Sequence, residues 1–114
     1  MELKKLPACF YRTVNGTEPV REWLRSLDVD DRFLIGSDIA TAEFGWPVGM
    51  PLMRPLGRNL FEIRTNLTSG RIARVIFCIA GRHMVLLHGF IKKTAKIPRQ
   101  DLGLALSRMR ETLS

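Results

Sequence analysis

The sequence is poor in the residues that build disulfide scaffolds, zinc sites and membrane spans. It has two cysteines and two histidines, and their spacing does not match that of zinc ligands. No apolar run approaches the roughly 20 residues that cross a membrane, and no apolar stretch follows the charged segment Met1 to Pro7, as it would in a secretory leader. We therefore predict a cytoplasmic protein without membrane association, metal or other cofactor. Its two thiols, Cys9 and Cys78, are predicted to be buried.

Acidic residues are missing from a long stretch of the chain. Between Ile63 and Gln100 there are eight lysines and arginines and no aspartate or glutamate. Residues 1–57 carry a net charge of −1 and residues 58–114 carry +8, which gives +7 in total. This asymmetry predicts a polyanionic partner, either a nucleic acid or an acidic protein segment. It also leaves a two-metal nuclease without carboxylate ligands in this stretch.

The length of 114 residues and the ordinary globular composition predict one domain, residues 1–114. Apolar periodicity gives the element order β, α, α, β, β, β, α. The strands are predicted at 6–13, 60–65, 72–80 and 84–91, and the helices open at Pro19, near Asp30 and at Pro98. The many prolines and glycines between Trp46 and Arg58 predict a loop. The expected fold class is α+β, with an antiparallel sheet packed on helices on one face.

Alternation along the last three strands separates two faces of the sheet. One face is wholly apolar and is predicted to pack on the helices. The other carries Arg64, Arg74 and His88, roughly side by side on neighbouring strands. Arg74 interrupts a stretch that otherwise resembles core, which leaves two interpretations open. It forms a structural salt bridge with Glu62, or it lies in a groove and binds a phosphate through its bidentate fork.

A basic run follows the last predicted strand directly. It contains four cations, Lys92, Lys93, Lys96 and Arg99. Because the run follows this strand directly, we expect it to extend the face that carries the arginines, and not to be only a solvated surface. Phe90 is either a core residue or a platform for an RNA base, and His88 is either structural or a proton-transfer group. Without metal ligands, the available nuclease route is RNA cleavage by the substrate's own 2′-hydroxyl, with cations stabilising the charge on phosphorus.

Six strings occur in order along nearly the whole chain. They are Pro19 to Leu24, Gly45 to Pro51, Leu60 to Leu67 with its Glu-x-Arg, Ala73 to Phe77 with its Ala-Arg-Val, Leu86 to Thr94 with its His-Gly-Phe-x-Lys-Lys, and Lys96 to Pro98. In this combination they resemble the RelE/HigB toxin superfamily, and most closely its phage-derived HigB-like branch.

The resemblance implies a RelE-like fold and a toxin of a bacterial type II toxin–antitoxin system. Such toxins are metal-independent endoribonucleases that cleave mRNA, commonly on the translating ribosome, and in this branch the cognate antitoxin is a helix-turn-helix protein. By motif position, Arg64, Arg74, Lys92 and Lys93 match the basic residues of the family's groove. Many relatives place a tyrosine, a second histidine or an acid near the site. The only tyrosine here is Tyr11, in the first strand, so His88 is the better proton-transfer candidate.

The sequence therefore predicts an mRNA-cleaving toxin with two sets of site residues. The catalytic set is Arg64, Arg74, His88, Lys92 and Lys93. The RNA-binding set is Arg58, Arg71, Phe90, Lys96 and Arg99. Two alternatives stay open: a catalytically inert module of the same fold that grips RNA or an acidic partner, and an interaction subunit whose basic groove receives an antitoxin segment.

Overall fold

The computed structural model describes residues 3–114 and places them in five strands and three helices. Met1 and Glu2, which begin the segment assessed above for a leader, lie outside the described residues. The strands are β1 (Ala8–Phe10), β2 (Met53–Gly57), β3 (Leu60–Asn66), β4 (Ile72–Ala80) and β5 (His83–Lys92), and the helices are α1 (Pro19–Ser26), α2 (Val29–Gly45) and α3 (Arg99–Leu113). The predicted α+β class is confirmed. Within the described range, none of the helices has the length and apolarity needed to cross a membrane.

The strands form one mixed sheet in the order β1-β5-β4-β3-β2. β3, β4 and β5 make the predicted antiparallel meander, with the apolar β4 at its centre. The prediction of a purely antiparallel sheet is wrong, because β1 pairs with β5 in parallel, Ala8 opposite Met84. The helices and strands that lie between β1 and β5 in the sequence return the chain to the same end of the sheet, so β1 and β5 run in the same direction.

The predicted loop between Trp46 and Arg58 contains a strand in its second half. β2 lies at the edge of the sheet, where Pro55 is tolerated because one side of an edge strand needs no N–H donors. Arg58 and Asn59, with φ of 55° and 65°, connect β2 to β3. Two successive residues with positive φ are typical of the tight hairpin turn whose twist matches that of the strands.

Helices pack on both faces of the sheet, which corrects the prediction of a single covered face. We call the two sides the α1–α2 face and the α3 face, after the helices that cover them. The α1–α2 face is built on Ile63, Val75 and Phe77. α3 buries Ala105 and Met109 against the opposite side. The apolar side chains that receive α3 are Leu60, Ile76, Cys78, Val85 and Leu87.

A bulge in β5 explains why the second apolar surface was not predicted. Ile76 pairs with His88 and Phe77 pairs with Leu86, which leaves Leu87 as an extra residue. Regular alternation along β5 would place Leu87 on the α1–α2 face, whereas the bulge turns it to the α3 face. The residues before the bulge change sides with it: Val85 lies on the α3 face, and Met84 and Leu86 lie on the α1–α2 face.

The two cysteines have different surroundings. Cys78 is fully buried in the central strand, and burial raises the pKa of its thiol to about 11. Cys9 is exposed on the edge strand β1, so the prediction of two buried thiols is wrong for Cys9. Both thiols are free.

Candidate functional site

Three arginines surround one buried glutamate on the α3 face, and we call Arg54, Glu62, Arg64 and Arg74 the arginine cluster. The strand register places Arg54 opposite Glu62 and Arg64 opposite Arg74. Glu62 Oε1 lies 3.0 Å from Arg54 Nη2 and 4.0 Å from Arg64 Nε. Its other oxygen, Oε2, lies 3.8 Å from Arg74 Nε. Because three guanidinium groups face one carboxylate, the cluster keeps an excess of positive charge.

Arg74 is enclosed by protein and does not line an open groove. Its side chain is 0% exposed, and its Nη2 donates a hydrogen bond to the backbone carbonyl of Thr94, in the loop between β5 and α3. Burial lowers the pKa of Arg74, Glu62 raises it, and the like charges of Arg64 and Arg54 lower it further. This placement favours the salt-bridge interpretation of Arg74. It corrects the picture of an arginine that awaits a phosphate in an open groove.

A histidine–aspartate pair joins β5 to the first turn of α3. His88 Nε2 lies 2.6 Å from Asp101 Oδ1, and Lys92 Nζ lies 3.9 Å from Asp101 Oδ2. The ring of Phe90 stacks on the imidazole, with centroids 5.5 Å apart and an interplanar angle of 27°. Because an ionised carboxylate can only accept hydrogen bonds, Nε2 of a neutral His88 carries the proton and Nδ1 is free to accept another. The pair can therefore act as a fixed proton acceptor.

The histidine–aspartate pair and the arginine cluster lie on the same face of the sheet. Glu62 pairs with Ile76 across β3 and β4, and Ile76 pairs with His88 across β4 and β5. Two strand spacings, about 10 Å, therefore separate Glu62 from His88. His88 lies on the predicted face. Arg74 lies opposite Phe90, however, so His88 is two residues along β5 from the position beside Arg74.

Four of the predicted cations continue this surface. Lys92, at the end of β5, is about half exposed, and Lys93 and Lys96 are exposed in the following loop. Arg99 is exposed in the first turn of α3. Lys96 and Arg99 line an open cavity of about 680 Å³ whose apolar wall includes Ile97 and Leu102. The basic run thus borders the histidine–aspartate pair.

Two predicted RNA-binding residues do not join this surface. Arg58 lies in the β2–β3 turn, at the end of the sheet where β4 turns into β5, away from Lys92. Phe90 is only 7% exposed, and its ring faces His88. Phe90 therefore offers no free face to a base, and Arg58 lies apart from the other candidate residues. RNA binding by Arg58 stays a prediction.

Arg71 is engaged elsewhere. Its Nη1 and Nη2 donate hydrogen bonds of 2.8 and 3.0 Å to the two carboxylate oxygens of Asp31 on α2. This bidentate pair lowers the pKa of Asp31 and raises that of Arg71. The structure therefore gives Arg71 a role in docking α2. Its contact with RNA stays a prediction.

Arg54 and Asp101 are site residues that the sequence reasoning missed. Asp101 lies one position beyond the acid-free stretch that ends at Gln100. Because the candidate site was limited to that stretch, Asp101 was excluded from it. The sequence pattern that could have indicated Asp101 is an acidic residue in the first turn of a predicted helix, directly after a basic run. Arg54 lay inside the predicted loop and became visible only once β2 was known. Across residues 3–114, no group of three or more His, Cys, Asp or Glu could hold a metal ion.

A comparison with protein families matches most of the chain. Residues 22–110 match the family described as Phage derived protein Gp49-like (DUF891). The matched segment runs from within α1 to the last turn of α3, so it includes the arginine cluster, the histidine–aspartate pair and the basic run. No curated protein matches the chain.

Proposed function

The chain belongs to the phage-derived Gp49-like family, a toxin-like family related to RelE, and from this membership we propose that it is the toxin of a type II toxin–antitoxin system. The proposed activity is metal-independent cleavage of mRNA on the translating ribosome, in the cytoplasm. The proposed partners are mRNA, the ribosome and a cognate helix-turn-helix antitoxin. One observation carries the proposal: the His88–Asp101 pair lies beside solvent-facing cations on a single face of the sheet.

The proposed reaction begins with the RNA 2′-hydroxyl. Asp101 fixes Nε2 of His88 as a donor, so Nδ1 accepts the hydroxyl proton. The 2′-oxygen then bonds to the adjacent phosphorus while the bond from phosphorus to the 5′-oxygen breaks. The products are a 2′,3′-cyclic phosphate and a 5′-hydroxyl, which takes its proton from solvent. DNA, which lacks the 2′-hydroxyl, stays intact.

Cations from several elements stabilise the negative charge that develops on the phosphoryl oxygens. Arg64 and Lys92 are partly exposed, and Lys93 follows directly. Preorganised cations of this kind are worth a large share of the rate enhancement in such reactions. Lys96 and Arg99 extend the surface and attract the RNA backbone. Arg74 is a positioning residue that does not touch the substrate. It pairs with Glu62, and Glu62 in turn holds Arg64 in place.

The test is induced expression in a bacterium with mapping of mRNA 5′ ends. It compares wild type with His88→Ala, and exposed His83 supplies the matched control His83→Ala. We expect wild type and His83→Ala to arrest growth and cut translated messages. His88→Ala should lose at least about 100-fold in cleavage, the usual contribution of a general base. Purified protein should leave 2′,3′-cyclic phosphate ends on RNA. Normal growth and uncut mRNA with soluble, folded wild-type protein would refute the proposal.

A second candidate is a catalytically inert module of the same fold that binds RNA or an antitoxin. It is favoured by the burial of Arg74 and by the engagement of both His88 and Lys92 with one carboxylate. In that case wild type and His88→Ala bind RNA equally well, and neither produces cyclic phosphate ends.

A further inference from the structure

A small cavity lies at the outer edge of β5, between α1 and α3. β1 pairs with β5 only from Met84 to Leu86, so within residues 3–114 no strand covers this edge beyond Leu86. α1 approaches the edge from the α1–α2 face, and α3 approaches it from the α3 face. The cavity between them has a volume of about 220 Å³. Its walls are Pro19, Val20 and Trp23 of α1, His88 and Gly89 of β5, and Arg108 of α3.

Gly89 allows the indole of Trp23 to lie directly against β5. A Cβ at position 89 would come within 2.4 Å of two carbon atoms of that ring, so a larger residue would have to displace it. The cavity therefore has an aromatic wall, which Pro19 and Val20 extend with apolar surface. Such a wall suits the face of a planar ring. It offers nothing to a strongly hydrated phosphate.

Arg108 supplies the polar wall of the cavity and is held in place from two sides. Its Nη1 donates a hydrogen bond of 2.8 Å to the backbone carbonyl of Leu87. Its guanidinium carbon lies 5.4 Å from the centre of the Tyr11 ring, whose hydroxyl donates to Glu111. Across residues 3–114, no carboxylate forms a salt bridge with Arg108. The edge formed by Nε and Nη2 thus keeps its donors for a ligand.

We propose that this cavity binds a guanine base of RNA, which stacks on Trp23 and accepts hydrogen bonds from Arg108 at O6 and N7. Arginine that donates to these two atoms is the commonest specific contact with guanine. Stacking on aromatic side chains is the usual way in which proteins hold unpaired RNA bases. Sites for drug-sized ligands have volumes of about 300–1,000 Å³, so this smaller cavity suits a single base.

The position of the cavity makes Arg108 a specificity-determining residue. His88 is a wall of the cavity and also a member of the histidine–aspartate pair. A base in the cavity therefore belongs to a nucleotide beside the proposed proton acceptor, and cleavage should occur next to guanosine. The inference rests on the proposed function for the identity of the ligand as RNA. The preference for guanine rests on Trp23 and Arg108.

The experiment is a titration of the folded protein with guanosine, adenosine, cytidine and uridine, followed through the NMR signals of its two indole N–H groups. Nucleosides carry no phosphate, so they report on the base alone. We expect guanosine to shift the Trp23 signal and to leave that of Trp46 in place. Adenosine should bind about tenfold more weakly, because its N6 amino group donates where O6 of guanine accepts. Inorganic phosphate at constant ionic strength should not shift the Trp23 signal.

A matched pair of variants tests Arg108 itself. Arg108→Gln replaces the guanidinium with an amide, whose preferred partner is adenine. The advantage of guanosine over adenosine should therefore disappear. Exposed Arg110 on the same helix supplies the control Arg110→Gln, which removes the same charge and should keep the preference of wild type. If Arg108→Gln does not fold, the titration of wild type decides alone.

The outcomes separate the guanine site from the nuclease. The guanine site is wrong if the Trp23 signal stays in place, if it responds equally to all four nucleosides, or if phosphate shifts it as much as guanosine does. Each of these results holds whether or not the protein cuts RNA. Guanosine binding by a wild type that leaves RNA intact supports the site and contradicts the nuclease. Where wild type cuts RNA, mapped ends next to guanosine support the site, and ends without base preference contradict it.

Discussion

The two faces of the sheet are built from the same strands and differ in what they bury. On the α1–α2 face, Phe61 and Phe77 stack with centroids 5.3 Å apart, and Trp46 contacts both rings edge-on. On the α3 face, the neighbouring positions of the same strands hold Glu62 and Arg74, with no exposed surface. At these positions, one face buries aromatic rings and the other buries charge.

Burial alone stabilises an aromatic ring, whereas a buried ion pair must first offset the cost of leaving water. The α1–α2 face is therefore explained by stability. The charges of the α3 face are not, since apolar residues of similar volume fill such positions at equal or lower free energy. This difference is a reason why we propose the α3 face as the functional face.

The largest effect on stability is expected on the aromatic face. Phe77→Ala removes a fully buried ring from the stack and should lower the free energy of unfolding by about 3–5 kcal/mol. Urea denaturation followed by tryptophan fluorescence measures it, because Trp46 contacts this ring. Phe77→Leu, which keeps most of the volume, is the control and should cost less. A loss below about 1 kcal/mol for the alanine variant would contradict the assignment of this face to stability.

A smaller effect on stability is expected on the charged face. Arg74→Met fills the same buried space, and Glu62 keeps Arg54 and Arg64 as partners. Removal of one partner of a buried ion pair costs about 3–5 kcal/mol when the other charge is left alone. Because Glu62 keeps two partners, the free energy of unfolding should fall by less than about 3 kcal/mol. RNA cleavage should nevertheless fall more than about tenfold, because Glu62 and Arg64 lose the residue that positions them. Urea denaturation and cleavage of purified RNA measure the two effects. If Arg74→Met is unfolded, or if it is folded and fully active, the contrast between a stabilising face and a functional face is wrong.

The smallest effect is expected at a charged pair that serves stability. Arg71 lowers the pKa of Asp31 below its ordinary 3.8, so the pair stabilises the fold above that value. This contribution is lost as the pH falls through the lowered pKa of Asp31. Asp31→Asn should be less stable than wild type at neutral pH, and the difference should vanish in acid. Urea midpoints across the pH range measure it, with Asp38→Asn on the same helix as the control. A difference independent of pH would show that the pair does not act through its charge.

Sequence periodicity was sufficient for the elements with long, regular apolar patterns. β4 was predicted with its observed bounds, and Pro19 marks the first residue of α1. β2 was missed because Pro55 counts against a strand except at an edge, and edge position is a property of the whole sheet. The placement of α3 was missed because one extra residue, Leu87, reverses the alternation along β5.

The candidate site was predictable in part for the same reasons. Strand parity brought Arg64 and Arg74 to one face because both lie in regularly alternating segments. His88 joins them because it begins the regular segment that follows the bulge. It could not indicate that Thr94 covers Arg74, which depends on the path of an irregular loop. Nor could it pair His88 with Asp101, since that contact requires α3 to cross to this face.

The parallel pairing of β1 with β5 has a consequence for how the protein folds. Ala8 and Met84 are neighbours in the sheet although most of the chain separates them. Contacts of such long sequence separation slow folding, because a large loop must close before they form. During synthesis, the sheet stays incomplete until β5 has left the ribosome, and the contact between His88 and Asp101 waits for α3 as well. The chemistry of the α3 face is therefore among the last features of the molecule to be assembled.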